Sequence, residues 1–147
     1  MNVLHGNLLD LAEQGKFDII IHGCNCICTM GAGLARQIAK RYPEVYQEDL
    51  ASRPNQRKLG GFTVRKVNGF DFRVINAYTQ PLPGPTLSLE ALTECFESIV
   101  RIFGGCNHRF AYPKIGCGLG GGNWDEVGSI IDGILDGENH TLVVWEK

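Results

Sequence analysis

Two glycine-rich stretches hold most of the residues in this chain that could do chemistry. The first runs His22-Gly23-Cys24-Asn25-Cys26-Ile27-Cys28-Thr29-Met30-Gly31-Ala32-Gly33-Leu34. The second runs Pro113-Lys114-Ile115-Gly116-Cys117-Gly118-Leu119-Gly120-Gly121-Gly122. Glycine lets a backbone approach a ligand closely, and a helix starting right after such a loop offers unpaired, partly positive N–H groups. Both stretches follow a strand-like run and precede a helix-like one, so together they could clamp a diphosphate from two sides. The first is no Walker loop, because no Gly-Lys-Ser/Thr follows it, and its glycine spacing is wrong for a Rossmann fingerprint. In the second, five glycines in ten positions carry an entropy cost that a purely structural turn does not require.

Beside the first loop stands His22, whose unperturbed pKa suits proton transfer near neutrality. Asn25 follows as a polar side chain at the strand end. Cys24, Cys26 and Cys28 alternate with other residues, whereas paired zinc ligands are usually separated by two to four residues and need a second pair elsewhere. No metal and no cofactor is expected. No nearby cation or general base is evident in the sequence to activate a thiol, so the cysteines are read as small buried groups.

The elements that must position these loops alternate in type. Asn2–Leu4 is a strand candidate and Leu8–Gln14 a helical turn or two. Asp18–Gly23 is a continuous apolar run of the kind buried on both faces of a sheet. Gly33–Tyr42 is an amphipathic helix that halts before Pro43. Phe62–Val67 and Phe72–Ala77 flank Asn68-Gly69, a hairpin signal. Ser88 caps a helix whose core face is Leu89, Leu92, Phe96, Ile99, Val100 and Phe103. Phe110–Tyr112 is a short strand, Asn123 and Glu126 form a capping box for the helix Trp124–Leu135, and Thr141–Trp145 is a closing strand. Such alternation argues for one layered α/β domain.

The chain has 147 residues, 44% hydrophobic and 20% charged, with a formal net charge of −2. That is one ordinary globular domain. Acidic and basic residues look mixed along it, so no binding of long nucleic acid is expected. No run approaches the roughly 20 apolar residues of a bilayer span, and the N-terminus lacks the blocks of a signal peptide. The expectation is a cytoplasmic monomer with reduced thiols.

Taken together, Ile20-Ile21-His22-Gly23-Cys24-Asn25, then Met30-Gly31-Ala32-Gly33-Leu34-Ala35, then Pro113-Lys114-Ile115-Gly116-Cys117-Gly118-Leu119 resemble the two ligand loops of macrodomains. Gly6-Asn7-Leu8-Leu9 resembles that family's segment after the first strand, and Val143-Val144-Trp145 its last strand. The resemblance implies a single macrodomain over residues 1–147, a three-layer α/β/α fold with a mixed, mostly parallel central sheet, and ADP-ribose or its 1″-phosphate as ligand. The branch it most resembles contains short ADP-ribose-1″-phosphate phosphatases and terminal ADP-ribose hydrolases.

Carried over residue by residue, the resemblance implies that Asn7 faces the adenine, with Leu8 beside it, and that Trp145 flanks or stacks on the base. Met30, Gly31, Ala32, Gly33 and Leu34 would hold the phosphates from one side. Ile115, Gly116, Cys117, Gly118, Leu119 and Gly120 would hold them from the other. Asn25 would reach the distal ribose, and His22 and Asn25 would position or activate water there. Asn76 and Gln80 would add polar contacts. One hydrolase subgroup uses a lysine after the mid-sheet strand and an aspartate in the second loop. Here those places read Asn76-Ala77-Tyr78 and Gly120, so a lysine adduct is not supported. The implied activity is phosphate removal from ADP-ribose-1″-phosphate. The alternatives are release of ADP-ribose from protein or nucleic acid, and binding without catalysis.

Overall fold

The computed structural model describes residues 1–146. Its elements are β1 (Asn2–Gly6), α1 (Leu8–Glu13), β2 (Ile19–Asn25), α2 (Gly33–Arg41), α3 (Pro43–Ser52), a 3₁₀ turn (Gln56–Lys58), β3 (Phe62–Lys66), β4 (Arg73–Gln80), α4 (Leu89–Phe103), β5 (Arg109–Tyr112), α5 (Trp124–Ile134) and β6 (Asn139–Trp145). The strands form one sheet in the order β1-β6-β5-β2-β4-β3. Every neighbouring pair is parallel except β3 with β4, so the sheet is mixed and mostly parallel.

The apolar pattern explains the layers. Ile19, Ile20 and Ile21 of β2 are all 0% exposed, because alternate residues of a central strand point to opposite faces and both faces are covered. Ile20 and Cys24 join Val74 and Tyr78 under α1, α2 and α3, where Leu9, Ile38 and Val45 complete one core. Ile19 and Ile21 join Ile75 and Ala77 under α4 and α5, against Leu92, Phe96, Ile99, Val127 and Ile131. The result is a three-layer α/β/α sandwich.

Several local signals act as their chemistry requires. Ser88 Oγ accepts from Ala91 N at 3.1 Å and caps α4. Asn123 Oδ1 accepts from Asp125 N and Glu126 N at 2.8 and 3.4 Å and caps α5, with no return bond from Glu126 among the described residues. Asn68-Gly69 sits in the β3–β4 connection, closed by Val67 N–H to Phe72 O at 3.0 Å, with Gly69 in the left-handed region at φ +83.

Two elements differ most from the sequence reading. Pro43 does end α2, but it also occupies the first turn of α3, where its missing N–H has no partner to lose. The helix that follows buries Val45 and Asp49, too sparse an apolar face to show as a period. β4 continues three residues beyond Ala77 to Gln80, which carries Tyr78 and Thr79 into the interior.

Candidate functional site

In an open parallel sheet, ligands bind beyond the carboxyl ends of strands where the chain order reverses. Here that point lies between β2 and β5. The chain leaves β2 toward β4 on one side, and leaves β5 toward β6 on the other. The two connections that diverge from this point begin with the two glycine-rich loops, so the topology brings them face to face.

Between them is a cavity of about 430 Å³ lined by both loops, including Asn25, Gly31, Ala32, Gly33, Gly116, Gly118, Leu119 and Gly120, with His22, Gln80 and Pro83. A second cavity of about 250 Å³ adjoins it, lined by Gly6, Leu8, Gly33, Leu34, Gln37, Pro113, Val143 and Trp145. The two share Gly33, Leu34 and Pro113, so they form one bipartite cleft. Among the described residues neither cavity is lined by an Asp or Glu side chain, and the lysine on the wall is Lys114. The first turn of α2 supplies Gly33, Leu34 and Ala35 to the cleft. Its cap residue Ala32 makes no side-chain cap bond, which leaves the N–H groups of that turn available to a ligand.

The glycines divide by task. A Cβ at Gly116 would stand 2.6 Å from Leu87, at Gly120 2.6 Å from the Gly116 carbonyl, at Gly121 2.9 Å from Pro85, and at Gly122 2.3 Å from Leu87. The second loop therefore does have a structural need for four of its five glycines, contrary to the sequence argument, because it folds tightly on itself and on the 81–87 segment. Gly118 is different: a Cβ there meets no atom within 4 Å. Gly31 and Gly33 also face open space, and Gly33 has φ +57.

His22 lines the larger cavity but is only 2% exposed. Its Nε2 lies 2.6 Å from Asn76 Oδ1. Asn76 Nδ2 donates to Val45 O at 3.3 Å and Thr63 Oγ1 at 3.1 Å. That orientation makes Oδ1 the acceptor, so Nε2 carries the proton and Nδ1 the lone pair. Burial pushes the imidazole down from 6.5 to about 4, so it is a neutral acceptor rather than a group titrating near neutrality. The expectation of a near-neutral histidine is corrected by desolvation. Asn76 is the partner of this histidine inside the sheet, not a contact at the cleft wall.

Asn25 is also committed to the protein. Its Oδ1 accepts from Ile27 N at 3.0 Å and Thr29 N at 3.5 Å, and its Nδ2 donates to Thr29 O at 3.0 Å and Thr29 Oγ1 at 2.8 Å. These bonds shape residues 25–29 beside the cavity. Asn7 Oδ1 caps α1 by accepting from Leu9 N at 3.0 Å and Asp10 N at 3.2 Å. The side-chain carbonyl of the residue expected to face the adenine is thus held by two backbone donors, while Leu8 next to it does line the smaller cavity. Met30 packs in the core at 5% exposure, whereas Trp145 is 55% exposed and lines the smaller cavity. Cys117 turns to Ile115 O at 3.3 Å, its thiol pushed up by burial.

The sequence reading missed Lys58. Its Nζ lies 3.3 Å from Cys28 Sγ, 3.6 Å from Asp49 Oδ1 and 4.2 Å from the Tyr78 ring centroid. Tyr78 OH donates to Asp49 Oδ1 at 2.7 Å. A cation does reach one of the first loop's thiols, from 30 residues away, where no local spacing could show it. Among the described residues no cluster of three His, Cys, Asp or Glu side chains could hold a metal ion.

A family model for the Macro domain matches residues 21–131, a span that contains both glycine loops and the switch point between β2 and β5. This chain is a macrodomain. It is 35% identical over 157 residues to the "Uncharacterized 17.5 kDa protein in tk-vs intergenic region" of Enterobacteria phage T4, covering 97% of this chain and 95% of that one. It is 27% identical over 142 residues to ADP-ribose glycohydrolase OARD1 of Bos taurus, covering 92% and 86%. The solved macrodomain of Thermus aquaticus DarG superposes with a TM-score of 0.80 at 25% identity, covering 99% and 97%. In this macrodomain the place of the subgroup's lysine is occupied by the wholly buried Asn76, Ala77 and Tyr78. The nearest described lysine in the network beneath them, Lys58, is turned to Asp49 and Cys28.

Proposed function

We propose that this macrodomain binds ADP-ribose and removes phosphate from ADP-ribose-1″-phosphate. The observation that carries the reading is the bipartite cleft. The smaller cavity, with Leu8, Val143 and the exposed Trp145, suits a flat purine. The larger one, with glycine backbone and the first turn of α2, suits a diphosphate and a second ribose. Its volume, about 430 Å³, lies within the usual range of small-molecule sites. The related OARD1 carries the name ADP-ribose glycohydrolase, which agrees with a terminal ADP-ribose ligand.

Two features favour phosphate over a sugar linkage as the bond cleaved. The cleft presents no carboxylate among its described lining residues, so a dianionic phosphate meets no like charge. The lysine and aspartate of the glycosidic subgroup are absent at their places. In the proposed reaction water attacks phosphorus and the bond from phosphorus to the 1″ oxygen breaks. That oxygen leaves with the proton that the attacking water gives up, giving ADP-ribose and inorganic phosphate. His22 Nδ1 accepts the water proton, Asn76 holds the tautomer, and backbone N–H groups stabilise the phosphate charge.

A substrate panel tests this. Wild-type protein is expected to release phosphate from ADP-ribose-1″-phosphate. His22→Gln is expected to lose about 10²-fold or more in turnover while keeping its affinity for ADP-ribose. Release of ADP-ribose from a modified macromolecule, with no phosphate release, would move the chemistry to the glycosidic bond. Binding with neither reaction would leave a recognition module.

A further inference from the structure

Cys28 and Lys58 are two nucleophilic side chains that the chemistry of the cleft does not use, and they touch. Lys58 Nζ donates to the Cys28 sulfur at 3.3 Å, the one hydrogen bond from a lysine to a thiol among the described residues. Bonds from other elements hold the pair in place. Asn55 N–H donates to Cys26 O at 3.0 Å and Tyr46 OH to Cys28 O at 3.1 Å. These pin the first loop to α3 and to the 3₁₀ turn that carries Lys58. The Cys28 thiol donates to Asp49 O at 3.2 Å, while Lys58 is caged by the Asp49 carboxylate and the Tyr78 ring. Cys28 itself stands at φ +58, a left-handed conformation uncommon for a residue with a side chain, which persists only where the surroundings enforce it.

The other thiols are placed differently. Burial pushes up those of Cys24, Cys26, Cys95 and Cys117, and Cys106 is exposed, turned to Gly104 O at 3.6 Å. The Cys28–Lys58 pair is screened from solvent without being sealed: Cys28 keeps 5% of its exposure and the Lys58 side chain 10%. Screening decides the fate of an oxidised sulfur. A sulfenic acid open to solvent condenses with a second thiol or is oxidised further, but one held against an amine meets that amine first.

We infer that Cys28 and Lys58 form an oxidative modification site, at which hydrogen peroxide converts the pair into a reversible sulfur–nitrogen cross-link. In the first step the Cys28 sulfur attacks one peroxide oxygen and the O–O bond breaks. The thiol becomes a sulfenic acid, oxidised by two electrons, and the peroxide is reduced to water. In the second step Lys58 gives its ammonium proton to solvent and its neutral nitrogen attacks that sulfur. The S–O bond breaks, and the hydroxyl leaves as water with a proton from the amine. One thiol, one amine and one peroxide thus give one S–N bond and two waters. The flexible stem of Lys58 lets its nitrogen close the gap. The product ties the loop that carries the cavity-lining Asn25 and Thr29 covalently to the 3₁₀ turn.

Mass spectrometry of the Cys106→Ser protein, treated with hydrogen peroxide while folded, tests the inference. That substitution removes the exposed thiol, whose own oxidation would obscure the result. The peptides bearing Cys28 and Lys58 are expected to appear as one cross-linked pair, about 2 Da lighter than their sum, and a dithiol reductant is expected to separate them. Adding Lys58→Arg keeps a cation beside Asp49 but removes the attacking amine. Cys28 is then expected to proceed to sulfinic acid, a gain of about 32 Da, with no cross-link. Adding Cys28→Ser instead is expected to leave the Lys58 peptide unmodified. A digest of the treated protein without the Cys28–Lys58 pair would overturn the inference. So would a cross-link from Cys28 to another cysteine, or a cross-linked Cys28 that persists in the Lys58→Arg variant.

Discussion

The Nε2 atom of His22 sits 2.6 Å from the Oδ1 atom of Asn76, and both side chains are buried. This pairing fixes which imidazole nitrogen carries the proton and leaves the Nδ1 lone pair beside Cys24 Sγ, 3.8 Å away. It also couples the cleft wall to Thr63 of β3 and Val45 of α3 through the Asn76 amide.

The coupling has a pH signature. Between about 4 and 6.5 the unfolded chain takes up a proton at His22 that the folded chain refuses. Stability is therefore fully present above the unfolded value and falls as the pH drops through this window, by at most about 1.4 kcal/mol per pH unit from this one group. His140, also held low by burial, adds in the same direction. Urea melts across the window should show the decline, and His22→Gln should flatten part of it. The acid limb of phosphate release should likewise lie near 4 rather than near 6.5.

Gly118 and Gly116 make a paired test of the second loop. Gly118→Val should leave the melting temperature unchanged and lower ADP-ribose affinity at least about tenfold, because its side chain enters only the cleft. Gly116→Val should destabilise the fold by about 1–3 kcal/mol, since its Cβ collides with Leu87 and its φ is +70. Thermal denaturation alongside calorimetry separates the two. A Gly118→Val protein that binds normally would refute the loop assignment.

Trp145 is half exposed on the last strand, so Trp145→Ala should change stability little. If its indole flanks a purine, the variant should bind ADP-ribose about 5- to 10-fold more weakly, the scale of one aromatic pairing. Equal affinity in the two proteins would place the base elsewhere.

Lys58 and Asp49 bring a different risk. Asp49 is buried, and its carboxylate lies 3.6 Å from the Lys58 ammonium, whose side chain is 10% exposed. Lys58→Met strands that carboxylate and should cost about 3 kcal/mol, whereas Lys58→Met with Asp49→Leu should recover part of the loss. Denaturant melts of the single and double variants measure the difference; equal stability for Lys58→Met and wild type would show the pair to be idle.

How much of the fold and the cleft is legible in the sequence depends on sequence distance. β2 is readable because Ile19, Ile20 and Ile21 are consecutive, and α4 because its apolar residues recur at helical steps. Both loops are readable because their glycines cluster. α3 is hidden, since a helix with only Val45 and Asp49 fully buried has no clear period, and a proline that stops one helix can start the next. The division of glycines into packing and open positions needs Leu87 and Pro85, which lie far along the chain from the loop they shape. The partners of His22, Cys28 and Asp49 are likewise brought in by strand pairing and helix packing rather than by local spacing.

The central claim is that the two glycine loops and the first turn of α2 hold an ADP-ribose diphosphate with their backbone N–H groups. Titrating ADP-ribose into ¹⁵N-labelled protein reads those groups one by one. The amides of Gly33, Leu34, Ala35, Gly118 and Leu119 should shift together along one saturable curve of micromolar order, roughly −8 kcal/mol, while those of α4 stay still. Saturable binding that moves none of these amides, or no shift anywhere at millimolar ADP-ribose, would contradict the account.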